Sequence, residues 1–301
     1  MSLCNFPEPY CRWSCIVVLP FLLLSPAAQA SASVCGSPAE SSEVSAGFVS
    51  QEEATLEPPP GTTREEHRIF DVLLKPASGR WSFGFGHRYA TLNFDDLTPQ
   101  TNAHLHTAYF PVHRIHEGNH TSFRASVAPA LSASSNIMGH PQEYRSDTFQ
   151  FLFALAWQRQ FAGWTLRYGI CGDHRFGEYL VYPSIGAVWQ PHPDWTLDVG
   201  FPDTRLTYRV NRRLSSGIGV APEGNDWHVA DRSMTEESRL VYEGYVIDWQ
   251  LQWDAMPELS ISAGLGATMD SRYELTLMDG DRIRVGADPV LRVSAGLRWK
   301  F

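Results

Sequence analysis

Arg88, Arg167, Asp198, Arg209, Asp248, Arg292, Arg298 and Lys300 share one property. Each sits one position away from a large apolar residue, in stretches where the two kinds alternate. An extended strand sends successive side chains to opposite faces, so these charges gather on the face opposite the apolar one. With Gln250 and Gln252 they would line an enclosed polar space. Charges facing such a space either border a water-filled path or pair with each other across it.

A second group that could do chemistry is His104, His106, His113, His116 and His120. Imidazole ligates transition metals readily. The spacing matches no closed zinc motif, and no cysteine or repeated carboxylate completes it. His113 to His120 reads better as a hydrophilic, mildly basic loop, so no metal and no cofactor is expected. Gly84-Phe85-Gly86 and Gly264-Leu265-Gly266 fall inside alternating stretches, where small residues let neighbours pack closely and no phosphate loop is expected. Asn119-His120-Thr121-Ser122 holds the residue types of the outer-membrane phospholipase family in the wrong order. No residue is assigned to catalysis.

The elements that must position these groups are strands. Trp81, Phe83, Phe85, His87 and Tyr89 alternate with Ser82, Gly84, Gly86 and Arg88. Phe149 to Trp157, Trp164 to Ile170, Trp195 to Phe201, Tyr245 to Trp253 and Leu259 to Met269 repeat the pattern. Period-2 alternation of this extent specifies an all-β, antiparallel fold. A sandwich and a barrel share the alternation. The aromatics at Trp157, Trp164, Trp189, Trp195 and Trp253 flank short turns, as in an interfacial girdle. An antiparallel transmembrane β-barrel is therefore expected. Roughly 18–22 residues per strand and connection give about 12 strands, within a range of about 10–14. His113 to His120, Ser132 to Asp147 and Ala221 to Ser238 become the long loops, on the side opposite the short turns.

Residues 1–30 read as a secretory signal peptide: Arg12, an apolar run from Ile16 to Leu24, and an Ala28-Gln29-Ala30 cleavage site. Residues 31–66 are rich in Ser, Ala, Glu and Pro and read as a disordered acidic leader. A short plug tucked into the lumen is the alternative. The barrel is placed at 67–301. Cys35 and Cys171 remain after cleavage; a disulfide between them is permitted in the periplasm but not specified. The formal charge of -9 argues against nucleic acid as a partner.

Val290 to Phe301 ends the chain as a strand with one apolar face. Ser294, Gly296, Trp299 and Phe301 resemble the C-terminal signal of bacterial outer-membrane barrels. That resemblance implies recognition by the barrel assembly machinery, residence in the Gram-negative outer membrane among its lipid and lipopolysaccharide, and short turns on the periplasmic side. Tyr182 to Leu214, with its Trp189 to Trp195 turn and the Pro202-Asp203-Thr204-Arg205-Leu206 step, resembles a porin-like family of proteobacterial outer-membrane barrels known only as a domain of unknown function. The expected role is passive passage of small polar or anionic solutes, or a structural envelope role. The alternatives are a barrel enzyme acting on lipid or lipopolysaccharide, and a loop-mediated surface or metal-binding protein.

Overall fold

The computed structural model describes residues 35, 41–57, 61–76, 80–95, 102–230, 237–277 and 279–301. The signal-peptide reading for 1–30 lies outside the described residues. Alternation of the kind seen in the sequence produces β1 (Glu43–Gln51), β2 (Ala54–Glu57), β3 (Gly61–Leu74), β4 (Trp81–Asp95), β5 (Asn102–Tyr109) and β6 (Val112–Glu117). There follow β7 (Thr121–Ser134), a short helix α1 (Ser135–Met138), β8 (Phe149–Phe161), β9 (Trp164–Phe176), β10 (Glu178–His192), β11 (Trp195–Phe201) and β12 (Thr204–Arg209). The last are β13 (Leu214–Ala230), β14 (Glu237–Asp254), β15 (Leu259–Leu277), β16 (Arg282–Ala287) and β17 (Val290–Lys300).

Each wall strand pairs antiparallel with the next, and β17 closes on β1 from Glu43↔Lys300 to Gln51↔Arg292. Three wall strands are broken into two segments each: β1 with β2, β5 with β6 at Phe110-Pro111, and β16 with β17 at Asp288-Pro289. Proline has no N–H for the ladder, which accounts for the last two breaks. The wall therefore has 14 strands, an even number inside the expected range.

Closure leaves no sheet edge between first and last strands, and the outward faces are apolar. Phe85, Phe151, Ile185, Val199, Ile218, Leu265 and Val293 are all exposed. Trp81, Trp164, Trp189, Trp195, Trp253 and Trp299 are exposed beside the short turns, and Phe161 stacks on Trp164 at 4.2 Å between ring centres. Among the described residues no helix is long and apolar enough to cross a membrane; the strands do it. An apolar belt on a closed barrel, edged by an aromatic girdle, matches the hydrocarbon core of a bilayer and its interface. The protein is an outer-membrane β-barrel.

Three expectations need correction. The wall begins at Glu43, so residues 43–57 and 61–66 of the expected leader are strands. Their charges obscured the pattern: Glu65 and His67 point inward while Arg64, Glu66 and Arg68 point outward above the apolar belt. His113 to His120 is no loop. It is the end of β6 plus a tight turn, with the Gly118 N–H donating to the Thr121 carbonyl at 2.7 Å, at the short-turn rim. Ala221 to Ser238 is largely strand, being the paired upper parts of β13 and β14.

β11 and β12 are short, 7 and 6 residues, between β10 of 15 and β13 of 17. Their hairpin turns at the cis Phe201-Pro202 bond. Beyond it β10 has lost its neighbour, and β13 leans inward to meet β7 in a parallel contact at His228↔Ala133. Side chains close the wall there: Arg175 donates to Asp203 at 2.8 Å, and Phe176 stacks on Phe201.

The belt makes a direct prediction. Leu265→Arg should destabilise the barrel by about 2–4 kcal/mol, the cost of arginine near a bilayer midplane, whereas Leu265→Phe should be nearly neutral. Urea unfolding of protein refolded into lipid vesicles measures both, and equal stabilities would show that this face does not meet lipid.

Candidate functional site

The site is the lumen, and its two halves differ. At the short-turn end, Arg167 on β9 pairs with Asp198 on β11, and Arg205 on β12 pairs with Asp248 on β14. Both Asp248 oxygens accept from Arg205 Nη2 at 3.1 Å, and Gln250 Oε1 accepts from Nη1 at 3.3 Å. Each arginine reaches over an intervening strand. This is possible because glycine stands beneath it: a Cβ on Gly219 of β13 would come 3.0 Å from Arg205 Nη2. The side chains of Arg167, Asp198, Arg205 and Asp248 are 26%, 31%, 23% and 28% exposed, so water reaches this half. Arg298 lies 3.9 Å from Glu43 at the same rim.

Toward the other end the lumen is dry. Arg292 on β17 pairs with Glu223 on β13, and both side chains are only 6% exposed. Glu65 on β3 accepts from Gln51 Nε2 at 2.6 Å and from the Tyr273 hydroxyl, and lies 3.2 Å from His67 Nε2. Nearer the short-turn rim, Arg88 donates to the Tyr109 hydroxyl at 3.1 Å and lies 3.6 Å from Asp71, whose side chain water still reaches.

Above these pairs the β13–β14 hairpin fills the barrel. Pro222 to Ala230 are buried on both faces. The inner edge of β13 is stitched to the opposite wall: Trp227 Nε1 donates to Thr107 Oγ1 at 3.2 Å, Asn225 Nδ2 to the same oxygen at 2.8 Å, and Gln150 Nε2 to the Asp226 carbonyl at 2.7 Å. Trp227, Val229, Leu240 and Tyr242 pack with Leu56, Leu92, Leu105 and Tyr273 in one apolar cluster. Thr148, His228 and Glu237 form a chain with the outline of nucleophile, base and acid, at 2.9 and 3.1 Å. Thr148 and His228 are 0% and 2% exposed, so no substrate reaches them and the chain serves to fasten the hairpin.

At mid-height the lumen holds a covalent bridge. Cys171 of β9, fully buried and facing inward, is disulfide-bonded to Cys35, with the two Cα atoms 5.9 Å apart. That separation is what a disulfide spans without moving the backbone. Arg124 Nη2 donates to the Cys35 carbonyl at 3.4 Å, and Tyr182 and Phe176 pack beside the bridge. Sequence reading left this pairing open because nothing local connects residues 136 apart.

Of the expected lumen residues, Arg88, Arg167, Asp198, Asp248, Arg292 and Arg298 stand among these inward groups. Arg209 lies exposed at the rim, its N–H donating to the Asp194 carbonyl at 2.8 Å. Lys300 is half-buried at the last position of β17. Sequence reasoning missed Arg205, which shares a strand face with Arg209, and also Arg124, Arg175, Glu65 and Glu223. In the terminal strand, Trp299 and Phe301 point outward and exposed, while Ser294 and Gly296 face inward.

The histidines do not converge. His104 accepts or donates at 2.6 Å with Tyr89, and His106 at 3.1 Å with His87, both pairs on the outer face. His113 meets Ser126 at 2.8 Å inside the lumen, and His116 and His120 are exposed at the short-turn rim. These positions could not enclose one ion.

No protein-family model and no curated protein matches the sequence. Among solved structures, the chain is similar in shape to an outer membrane channel from Pseudomonas putida F1 (8% identity, TM-score 0.48, covering 92% of this chain and 100% of that one). It is also similar to the KdgM porin (7%, 0.39, 85% and 99%) and to the Pseudomonas putida toluene transporter TodX (8%, 0.42, 88% and 91%).

The dry pair yields a stability test. Arg292→Met should cost roughly 3–5 kcal/mol by stranding the Glu223 carboxylate in the interior, and adding Glu223→Gln should restore most of it. Unfolding midpoints of the single and double variants check this; equal losses would mean the two side chains are not coupled.

Proposed function

We propose that the barrel is a passive outer-membrane channel for small polar solutes, with anions admitted by the arginines of its wet half. One observation supports this most: the short-turn half of the lumen is lined by arginine–aspartate pairs that stay about a quarter exposed on a membrane-spanning wall. A barrel meant only to hold its shape gains nothing from solvated charges, since such pairs contribute roughly 0–1 kcal/mol each. A passing ion exchanges partners with them at little cost, which is how charged rings set selectivity in pores. The packed β13–β14 hairpin is the barrier to be displaced or bypassed, so the resting conductance should be small.

That same packing favours a second reading, a closed barrel with a structural envelope role. We assign no catalytic residue in either case. Assembly machinery, outer-membrane lipid and lipopolysaccharide remain the proposed partners, on the strength of the terminal Trp299 and Phe301 and the apolar belt.

Planar-bilayer recording on purified protein separates the two. A channel gives discrete conductance, and Arg167→Glu shifts its anion-to-cation permeability ratio toward cations. Unchanged selectivity, or a membrane that stays silent, favours the structural reading.

A further inference from the structure

We propose that a gap in the barrel wall above the β11–β12 hairpin takes up one acyl chain of a bilayer lipid, with the Phe201 ring as its door. This is a lateral lipid site, separate from the passage of polar solutes along the lumen.

The gap arises because two strands stop short of their neighbours. β11 pairs with β10 no higher than Ile185↔Phe201, and β12 with β13 no higher than Thr204↔Val220. Among the described residues, Glu178 to Ser184 of β10 then pairs with β9 alone, while β13 leans inward to meet β7 at His228↔Ala133. At its base the gap spans three strand spacings, about 14 Å. Its sides converge above. A Cβ on Gly224 of β13 would come 2.5 Å from the Gly177 nitrogen in the β9–β10 turn. Arg239 Nη1 donates to Glu178 Oε1 at 3.3 Å across the same apex. The opening is a triangle bounded on all three sides.

Its height is that of hydrocarbon. Val181 lies eight residues along β10 from Trp189 of the girdle. On a strand tilted by about 40° that is roughly 20 Å, within a belt about 25 Å tall. Val181, Ile185, Val199 and Val220 around the opening are all exposed and continue the lipid-facing surface. The edges also suit an apolar occupant. Pro183 stands on β10, Pro222 on β13 and Pro202 in the hairpin turn. Proline has no N–H to strand in lipid, and it offers an added strand no donor.

Through the gap, side chains from opposite faces of the wall meet. Phe201 belongs to the outward face of β11 with Trp195 and Val199, whereas Tyr182 faces the lumen and is 4% exposed. Their ring centres are nevertheless 5.7 Å apart, and Phe201 stacks on Phe176 at 5.8 Å. An unbroken wall would put backbone between them. Phe201 therefore fills the opening, and an acyl chain, no thicker than a phenyl ring, takes its place when the ring swings out. The register of β11 with β12 ends at Asp198↔Arg205, so Phe201 is laddered to β10 only. Its side chain swings without breaking a ladder bond.

The test uses the purified protein refolded into phosphatidylcholine vesicles in which one acyl chain carries a terminal diazirine. After illumination, digestion and mass spectrometry locate the lipid adducts. Leu265 in the belt should be labelled in every form and serves as the internal reference. Tyr182 and Phe176 should be labelled in the wild-type protein, severalfold more in Phe201→Ala and severalfold less in Phe201→Trp, each taken as its heat-modifiable folded form. The wild-type result decides even where a variant fails to fold. Wild-type adducts confined to the belt would overturn the site, even if Phe201→Ala were labelled within, because the native ring would then never open. Lumen adducts undiminished in Phe201→Trp would mean entry by another route and would overturn it too. A stable dimer that shields Tyr182 from lipid would give the gap to a second copy of the chain instead.

Discussion

In hydrocarbon every backbone N–H and C=O must find its partner within the protein, because water is not there to supply one. That constraint forces β17 onto β1, and the rest of the molecule follows from the closure. Once the sheet is a cylinder, the outward face has only lipid to meet and must be apolar. The arginines and carboxylates at the height of the belt are then turned inward, into a space too small to keep all of them hydrated. The inner charges consequently pair, and the pairs cross strands: Arg167 to Asp198, Arg205 to Asp248, Arg292 to Glu223.

Crossing a strand requires room, and the sequence provides it with glycine. A Cβ on Gly86 would collide with the ring of Tyr109, whose hydroxyl joins Arg88 and Asp71. Gly219 does the same for Arg205. Alternation of large apolar residues with glycine thus serves two faces at once, a lipid belt outside and a bed for guanidinium groups inside.

Alternation was also what the sequence made plain. β4, β8, β9, β14, β15 and β17 could each be read residue by residue, since lipid allows few polar exceptions on the outer face. The start of the wall could not. Arg64, Glu66 and Arg68 point outward beyond the belt, where water accepts them, so β3 reads there as a charged run. The upper β13–β14 hairpin was mistaken for loop for a related reason. Buried on both faces, Pro222 to Ala230 need no period of 2; Glu223 and Asn225 find partners on distant strands, and Asp226 pairs with Arg239 of the neighbouring β14. The candidate site was legible as a set of inward charges. Its pairings, the place of Arg205 and the Cys35–Cys171 bridge depend on register and long-range contact, which no local pattern encodes.

The two halves of the lumen differ in what it costs to exchange one charged partner for another. Where water enters, opposite charges 3–4 Å apart attract by only a few kcal/mol at most, because the effective dielectric is high. An ion entering there would replace one partner with another at little cost. In the dry half the same exchange would separate Arg292 from Glu223 in a medium that leaves both uncompensated. No small solute offers enough to do that. The exchangeable charges therefore lie in the wet half and the fixed ones in the dry half.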